Sequence, residues 1–297
     1  MGATQGLDIS AAQGYNVNFG AIKAAGNDFV ILRAGFGSAL RYPSQFDPTF
    51  EGNYNKAKAA GLKVGAYWYT YCTTSAGAVE EAKAFVKALS GKQFEMPVYM
   101  DIEEMSQFNT GKSNCSAMAA AFCDYLKKSG FFAGIYCSTY WGTAYLTDEV
   151  RSKYAYWDAE WGSRCTYKGT YGMWQNGTAY VSSSGTGAMD HDYCYVDYPS
   201  IIKSKGLNGF PKPAAPEKVL DTGSCYKLGE TTVGALAVKE MLRLAYVIKI
   251  QPVKVTDTKV YDQTAVDAVK ALQKRWGYKQ TGRAGENFVR MLFEALK

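Results

Sequence analysis

The chain has 297 residues, of which 47% are hydrophobic and 20% are charged, and it carries a net charge of +6. This length and composition allow one large hydrophobic core and a small second one, so we expect a soluble globular protein. No run approaches the roughly 20 apolar residues of a membrane span. A single histidine excludes a His-rich zinc hydrolase and disfavours Ser-His-Asp or Cys-His catalysis.

Strand-like and helix-like segments alternate from the amino terminus. Short apolar runs that fit buried parallel strands are each followed by a helical segment, several of which end at a glycine. The five runs are QGLDIS, FVILRAGFG, KVGAYWYTYC, MPVYMDIEE and FFAGIYCS. Five consecutive strand–helix units predict a parallel sheet that is covered on both faces or closed as a barrel.

The pattern changes from Tyr154 onwards. KYAYWDAEWG, TYGMWQNG and GAMDHDYCYVDY are short aromatic segments without clear helices between them. We therefore predict an α/β fold, an incomplete (β/α)-barrel of about five βα units plus three further strands. An open nucleotide-binding sheet lacks support, because no glycine-rich phosphate loop follows any strand.

The last part of the chain differs in charge and in pattern. Residues 1–202 hold 16 Lys and Arg against 18 Asp and Glu, whereas residues 217–297 hold 14 against 9, a net charge of +5. Residues 206–216 have three prolines among their last six residues, which extends and stiffens a linker. We predict a catalytic or binding barrel over residues 1–205, a linker over residues 206–216 and a small three-helix domain over residues 217–297.

One predicted strand, Met96–Glu104, ends in three carboxylates within five residues. Residues i and i+2 of a strand share one face about 6.6 Å apart, so Asp101 and Glu103 are expected to face the same space. Two carboxylates that close raise each other's pKa, and one can stay protonated as a general acid, as glycoside hydrolysis requires. The residues alone leave open a solvated strand end whose acids cap the next helix.

Chemistry in parallel barrels sits at the carboxyl ends of the strands. These ends carry acids, which can protonate or hydrogen-bond sugar oxygens, and aromatic rings, which stack on sugar faces. The candidates are Asp8, Arg33, Phe36, Tyr67, Tyr69, Asp101, Glu103, Trp157, Trp174, Gln175 and Asp190. Alternative roles are helix capping for Asp8, a turn for Asp190 and core packing for the aromatic residues.

Six motifs in order carry a family resemblance. GLDIS, VILRAGFG, VGAYWY, VYMDIEE, the Trp174-Gln175 pair and AMDHD resemble glycoside hydrolase family 25, over roughly Gly6 to Ile202. These enzymes are muramidases, and many are phage endolysins. The sequence departs from the family pattern at His191, which follows the last acid where an apolar residue is more usual. We expect His191 to point away from the cleft.

The resemblance implies a role for each acid. Glu103 would protonate the glycosidic oxygen, and Asp101 would orient the substrate acetamido group or stabilise the developing charge. The resemblance favours retention of configuration, assisted by the acetamido group. Asp8 and Asp190 would complete an acidic floor. The other candidates would bind the sugar, namely Arg33, Phe36, Tyr67, Tyr69, Trp157, Trp174 and Gln175.

The resemblance also implies the substrate and the setting. The expected reaction is hydrolysis of the β-1,4 bond between N-acetylmuramic acid and N-acetylglucosamine in peptidoglycan glycan strands, without a metal or another cofactor. A non-catalytic glycan-binding barrel and a chitinase-like hydrolase are the alternatives. The amino terminus has no signal-peptide pattern, so we expect the host cytoplasm until holin-type release, followed by action on the cell wall.

The tail has a looser resemblance. TAVDAVKALQKRWGYKQTGRAGENFVRML resembles part of the three-helix peptidoglycan-binding domain found on wall hydrolases. A helical bundle used for dimerisation is the alternative, and the oligomeric state is left unassigned. Neither a nucleic-acid nor a membrane partner is expected, because the basic residues form no run with interleaved aromatics and no span is present.

Overall fold

The structure is a computed structural model that describes residues 2–212 and 218–297. It contains two compact units, Met1–Pro213 and Ala214–Lys297. The three prolines of the predicted linker are Pro211, Pro213 and Pro216, and the last two lie outside the described residues.

The first unit is a closed eight-stranded barrel with the strands in sequential order. Strands β1 to β7 run parallel, whereas β8 pairs antiparallel with both β1 and β7. The predicted α/β barrel is therefore confirmed. The strands are β1 Thr4–Ile9, β2 Phe29–Phe36, β3 Lys63–Tyr69, β4 Val98–Asp101, β5 Ala133–Ser138, β6 Ala155–Ala159, β7 Met173–Ala179 and β8 Met189–Cys194.

Helices cover the outside of the first five strands, and no described helix separates β6, β7 and β8. Buried apolar side chains fill the layer between sheet and helices, with Trp68, Phe85 and Phe122 among the largest. No described helix is both long and apolar enough to cross a membrane. The helices are α1 Phe19–Ala24, α2 Phe50–Ala59, α3 Ser75–Leu89, α4 Met105–Phe108, α5 Lys112–Lys128, α6 Thr139–Tyr145, α7 Asp148–Lys153 and α8 Tyr198–Lys205.

The barrel interior is closed by large side chains that pack against glycines. A Cβ atom at Gly134 would lie 2.4 Å from the ring of Tyr99, and one at Gly65 would lie 2.6 Å from Ile31. Tyr99 in turn meets Trp157 edge to face, with ring centroids 5.1 Å apart. Interdigitation of large and small residues gives the barrel a solid aromatic floor below its carboxyl-terminal rim.

The acidic strand is shorter than the predicted Met96–Glu104. Strand β4 ends at Asp101, and Glu104 is the N-cap of α4, in a capping box with Gln107. The hydroxyl of Thr70 donates to the carbonyl of Asp101 at 2.6 Å. Glu103 therefore lies in the connection between strand and helix, because the following helix needs an N-cap.

The barrel extends past the predicted boundary at residue 205. Asn208 is fully buried, and its amide donates to the carbonyls of Phe94 and Met96 at 3.1 and 2.9 Å. Its Oδ1 accepts from the backbone N–H of Phe132 at 2.7 Å. The first residues that the sequence analysis assigned to the linker therefore pack against the barrel instead.

The second unit contains three helices, as the sequence predicts for this part of the chain. Its apolar core includes Leu242, Tyr261 and Phe288. The buried ammonium of Lys239 donates to the carbonyl of Val260 at 2.8 Å and to the carboxylate of Asp262 at 2.6 Å, which ties the loop before the second helix to the first. The elements are β9 Cys225–Tyr226, α9 Val233–Val247, α10 Gln263–Arg275, β10 Ala284–Gly285 and α11 Glu286–Ala295, with β9 and β10 paired.

Gly134→Ala tests the packing of the barrel interior. The new methyl group would overlap the ring of Tyr99, which is fully buried, so we expect a loss of about 1–3 kcal/mol in the free energy of unfolding. Urea titration of the purified chain measures it. Gly52→Ala is the control, since a Cβ atom there meets no other atom within 4 Å and alanine stabilises a helix by about 0.5–1 kcal/mol. Equal effects of the two substitutions would contradict this packing.

Candidate active site

A cleft of about 180 Å³ opens at the carboxyl-terminal rim of the barrel strands. Nine side chains predicted from the sequence line it, together with Tyr136. Phe36 and Trp174 are not among the lining residues. The predicted residues in the cleft are Asp8, Arg33, Tyr67, Tyr69, Asp101, Glu103, Trp157, Gln175 and Asp190, to which Tyr136 of β5 is added.

Asp8 and Asp190 lie directly opposite each other in the antiparallel pairing of β1 with β8. Burial raises the pKa of Asp8 to about 8, the charge of Asp190 adds to the effect, and a hydrogen bond from Gln175 opposes it. Burial also raises the pKa of Asp190. Since opposed like charges repel, this pair holds a proton near neutral pH.

Asp101 and Glu103 differ in their access to solvent. Asp101 is 4% exposed, and its Oδ1 atom has no hydrogen-bond partner among the described residues. Burial, followed by the charges of Glu103 and Asp8, raises its pKa well above the ordinary value. Glu103 is an exposed residue, yet loss of water around its carboxyl group, followed by the charge of Glu104, still raises its pKa. The arrangement therefore places a carboxyl group that holds its proton more tightly than usual at the mouth of the cleft.

Gln175 connects the acids to two aromatic residues that the sequence analysis missed. Its Nε2 donates to Asp8 at 2.8 Å, while its Oε1 accepts from the hydroxyl of Tyr136 at 3.0 Å and from the indole of Trp161 at 3.1 Å. Trp161 is 63% exposed, so one of its faces is free to stack on a sugar. Its position within the predicted aromatic segment KYAYWDAEWG was a signal that could have identified it.

Asp192 is a further acid that the sequence analysis missed. It is fully buried, its Oδ1 accepts from the indole of Trp157 at 2.8 Å, and its Oδ2 has no partner in the described part of the chain. Burial and the charge of Asp8 raise its pKa well above the ordinary value. Strand alternation from Asp190 to Asp192 would have placed both on the inner face.

Aromatic rings form the floor and part of the wall. Trp157 is met edge to face by Tyr67 and Tyr136, at centroid distances of 6.4 and 4.6 Å. Tyr69 donates its hydroxyl to Glu104 at 2.6 Å, which holds that neighbouring carboxylate to one side. The floor excludes water from beneath the acids, and this accounts for the burial that raises their pKa values.

Arg33 is the cation that lines the cleft. Its Nε donates to the buried carboxylate of Asp47 at 2.8 Å, so part of its charge is already neutralised. Phe36 lies beside it, with the guanidinium 5.7 Å from the ring centroid. Phe36 is therefore close to the cleft but does not line it, contrary to the prediction.

Trp174 points away from the cleft, contrary to expectation. Its neighbour Gln175 faces inward, and alternation along β7 turns Trp174 to the outer face. There its indole donates to the carbonyl of Glu160 at 2.8 Å. His191 likewise alternates with Asp190 and Asp192, and its Nδ1 lies 2.7 Å from Oδ1 of Asn176.

Comparison with known proteins places these observations in context. Residues 7–184 match the sequence model of a protein family, glycosyl hydrolases family 25. An autolytic lysozyme of Clostridium acetobutylicum is 31% identical over 160 residues, which cover 53% of this chain and 45% of the relative. The chain thus matches less than half the length of that relative.

Solved structures share the fold. The CTP1L endolysin matches with a TM-score of 0.59 and 26% identity, over 68% of this chain and 70% of the other. A bacterial lysozyme from Streptomyces coelicolor matches with a TM-score of 0.57 and 23% identity, over 71% of this chain and 99% of the other. The second likeness is one of fold.

The buried acids predict how stability depends on pH. A carboxyl group whose pKa is raised by folding binds a proton that the unfolded chain has released, so the stability that these groups contribute is fully present below about pH 4 and is lost as pH rises towards 8. Asp192→Asn removes one such group while its amide oxygen still accepts from Trp157. We expect the fall between pH 5 and pH 8 to be shallower by up to about 1.4 kcal/mol per pH unit.

Urea unfolding at several pH values measures this slope. Asp28→Asn is the matched control, because the side chain of Asp28 is 39% exposed and pairs with Lys23 at 3.7 Å. A pH dependence that Asp192→Asn leaves unchanged would refute the argument.

Proposed function

Because the chain belongs to glycosyl hydrolases family 25, we propose that it hydrolyses the β-1,4 bond between N-acetylmuramic acid and N-acetylglucosamine in peptidoglycan. The observation that carries this proposal is the group of acids with raised pKa values around one cleft, with Glu103 at its mouth. Glycoside hydrolysis needs a protonated carboxyl group beside a second carboxyl group. The family match does not favour the alternatives of a non-catalytic binding barrel or a chitinase-like hydrolase.

Glu103 is the proposed general acid. Its side chain is exposed while that of Asp101 is 4% exposed, so Glu103 is the group of the pair that can reach a glycosidic oxygen lying over the cleft. The raised pKa of Glu103 favours the protonated form that a general acid needs. The hydrogen bond from Tyr69 keeps Glu104 apart in a different role.

Asp101 is proposed to position the substrate. Its unpartnered Oδ1 is a buried acceptor, and the N–H of an acetamido group would supply the missing donor. Such a hydrogen bond favours the charged carboxylate and would offset the cost of its burial. The acetamido oxygen would then attack the anomeric carbon as the glycosidic bond breaks and Glu103 gives its proton to the leaving oxygen. Attack by water on the resulting cyclic intermediate would restore the original configuration.

The remaining cleft residues would bind the sugar. Trp161 offers an exposed ring that Gln175 holds in place, and Tyr67, Tyr69 and Trp157 provide further aromatic surface. Asp8 and Asp190 share a proton and can both donate to and accept from sugar hydroxyls.

The second unit is proposed to bind the cell wall. A groove of about 990 Å³ on it is lined by Lys249, Lys270, Lys274 and Arg275, with Asp267 the one acid among its lining residues. This charge suits an anionic wall polymer, although salt would screen the attraction. We further propose action on the cell wall after a cytoplasmic stage and holin-type release, which fractionation of producing cells during lysis would test.

Glu103→Gln tests the general acid. The amide keeps the shape of the side chain but has no proton to give to the leaving oxygen, so we expect kcat to fall by about 10²- to 10⁴-fold while binding to purified walls is unchanged. Mass spectrometry of released muropeptides measures the rate and names the bond that is cut.

Glu104→Gln is the matched control for this experiment. It should retain kcat within about tenfold and shift the alkaline limb of the pH–rate profile to lower pH, because the charge of Glu104 raises the pKa of Glu103, which must be protonated to act as the acid. If Glu103→Gln retained a tenth of the wild-type rate, the general acid would have to be another residue.

Truncation tests the division of labour between the units. A chain that ends at Lys212 keeps Asn208 and the whole cleft, so it should cleave soluble glycan fragments at the wild-type rate. Loss of the second site should weaken binding to intact walls by on the order of 10²-fold, measured by co-sedimentation. A chain that ends at Lys205 is the control and should unfold more easily, because it lacks Asn208. Undiminished wall binding by the longer truncation would refute the role of the second unit.

A further inference from the structure

A second group of metal-binding side chains lies outside the cleft, at the end of β6. Asp158 and Glu160 lie on either side of the strand's last residue, and Cys165 follows in the loop between β6 and β7. One ligand atom from each of the three lies within 4.8 Å of the other two. Asp158 alternates with Trp157, which faces the barrel interior, so this group is on the outer side of the sheet.

The distances within this group fit a single small cation. The Sγ atom of Cys165 lies 3.3 Å from Oδ2 of Asp158. The hydroxyl of Thr139 lies 2.5 Å from the same oxygen and 3.5 Å from Oε2 of Glu160. Ligand atoms bound at about 2.0–2.3 Å to a tetrahedral zinc ion are separated by about 3.5 Å. The observed separations need only small side-chain adjustments to reach that geometry.

A buried oxygen without a partner is an independent sign that a ligand is needed here. Asp158 is fully buried, and its Oδ1 has no hydrogen-bond partner among the residues described. A buried carboxylate oxygen is costly unless it is hydrogen-bonded or bound to a metal. The two donors nearby, Thr139 and Cys165, both contact Oδ2 instead.

We propose that Asp158, Glu160 and Cys165 bind one Zn²⁺ ion. The thiolate selects a thiophilic ion over Mg²⁺ and Ca²⁺, which prefer oxygen ligands alone. On binding, Cys165 releases its thiol proton to solvent and forms the sulfur–zinc bond. Thr139 or water completes the coordination. Glu160 and Cys165 are only half-buried, which gives the ion access from solvent, and the nearby Arg151 is paired with Asp148.

The bound ion would restrain the loop that carries Trp161. Cys165 and Glu160 lie on either side of Trp161 in sequence, and Trp161 contacts the cleft through Gln175. Fixing both sides restrains the backbone that presents the indole, as structural zinc sites commonly do. This proposal does not depend on the proposed hydrolytic reaction, because the ion takes no part in it.

Metal titration of the full chain tests the site. Protein stripped with a chelator is titrated with Zn²⁺ by calorimetry and with Co²⁺ in an absorption spectrometer. We expect one ion per chain and a sulfur-to-cobalt charge-transfer band. Cys165→Ser should remove the band and weaken Zn²⁺ binding by at least about 100-fold, since even loss of an outer hydrogen-bond partner costs 10- to 100-fold.

Two further variants make the result decisive. Cys225→Ser is the matched control, because Cys225 is the other cysteine that is not buried, and it should bind Zn²⁺ like the wild type. Asp158→Asn should weaken binding as Cys165→Ser does, with folding checked by circular dichroism. Absence of Zn²⁺ binding, or equal affinity in Cys165→Ser and the wild type, would overturn the proposal and leave a thiol–carboxylate hydrogen bond in its place.

Discussion

The antiparallel pairing of β8 with both of its neighbours is the constraint on which the cleft depends. It closes the barrel and brings the start of β8 to the rim where the other seven strands end. In this register Asp190 lies opposite Asp8, and Asp192 lies opposite Gly6, which has no side chain to compete for the space. Strand β8 thus supplies two acids, Asp190 at the rim and Asp192 in the interior.

This closure concentrates more negative charge than the nearby cations can balance. Arg33 is the one cation among the cleft-lining residues, and Asp47 already engages it. Protons take the place of the missing cations, so burial and mutual repulsion raise the pKa values of Asp8, Asp101 and Asp192 together. The buried carboxyl groups of the cleft therefore hold protons more tightly than usual, and they lie close to the solvent-exposed carboxyl group of Glu103.

The alternation of apolar runs and helices predicted a parallel sheet, since buried parallel strands have a strong sequence pattern, and the bare strands after Tyr154 favoured a barrel. Side-chain direction was harder to predict. Trp174 and Gln175 are adjacent, and only the strand register decides which one faces inward. The end of β4 was placed too late because Glu104 serves the next helix as its cap.

Longer-range contacts escaped prediction for a different reason. Asn208 belongs to the barrel through hydrogen bonds to Phe94, Met96 and Phe132, which are more than 70 residues away in sequence. Nothing local distinguishes it from a linker residue. Trp161 and Tyr136 meet at Gln175 in a similar way, because β5, β6 and β7 lie side by side in the sheet.

Gln175 shows why these distant contacts matter for a cleft of this kind. One amide group orients Asp8 through its nitrogen and Trp161 through its oxygen, so the position of an acid and of a stacking surface depend on each other. An indole that is 63% exposed would otherwise lose freedom when a sugar stacks on it, at a cost of about 0.5–1.5 kcal/mol. The hydrogen bond from Trp161 to Gln175 already restrains the indole in the free protein, which reduces the free-energy cost of ordering it on sugar binding. A bound ion at Cys165 would restrain the same loop further, from the outer side of the sheet.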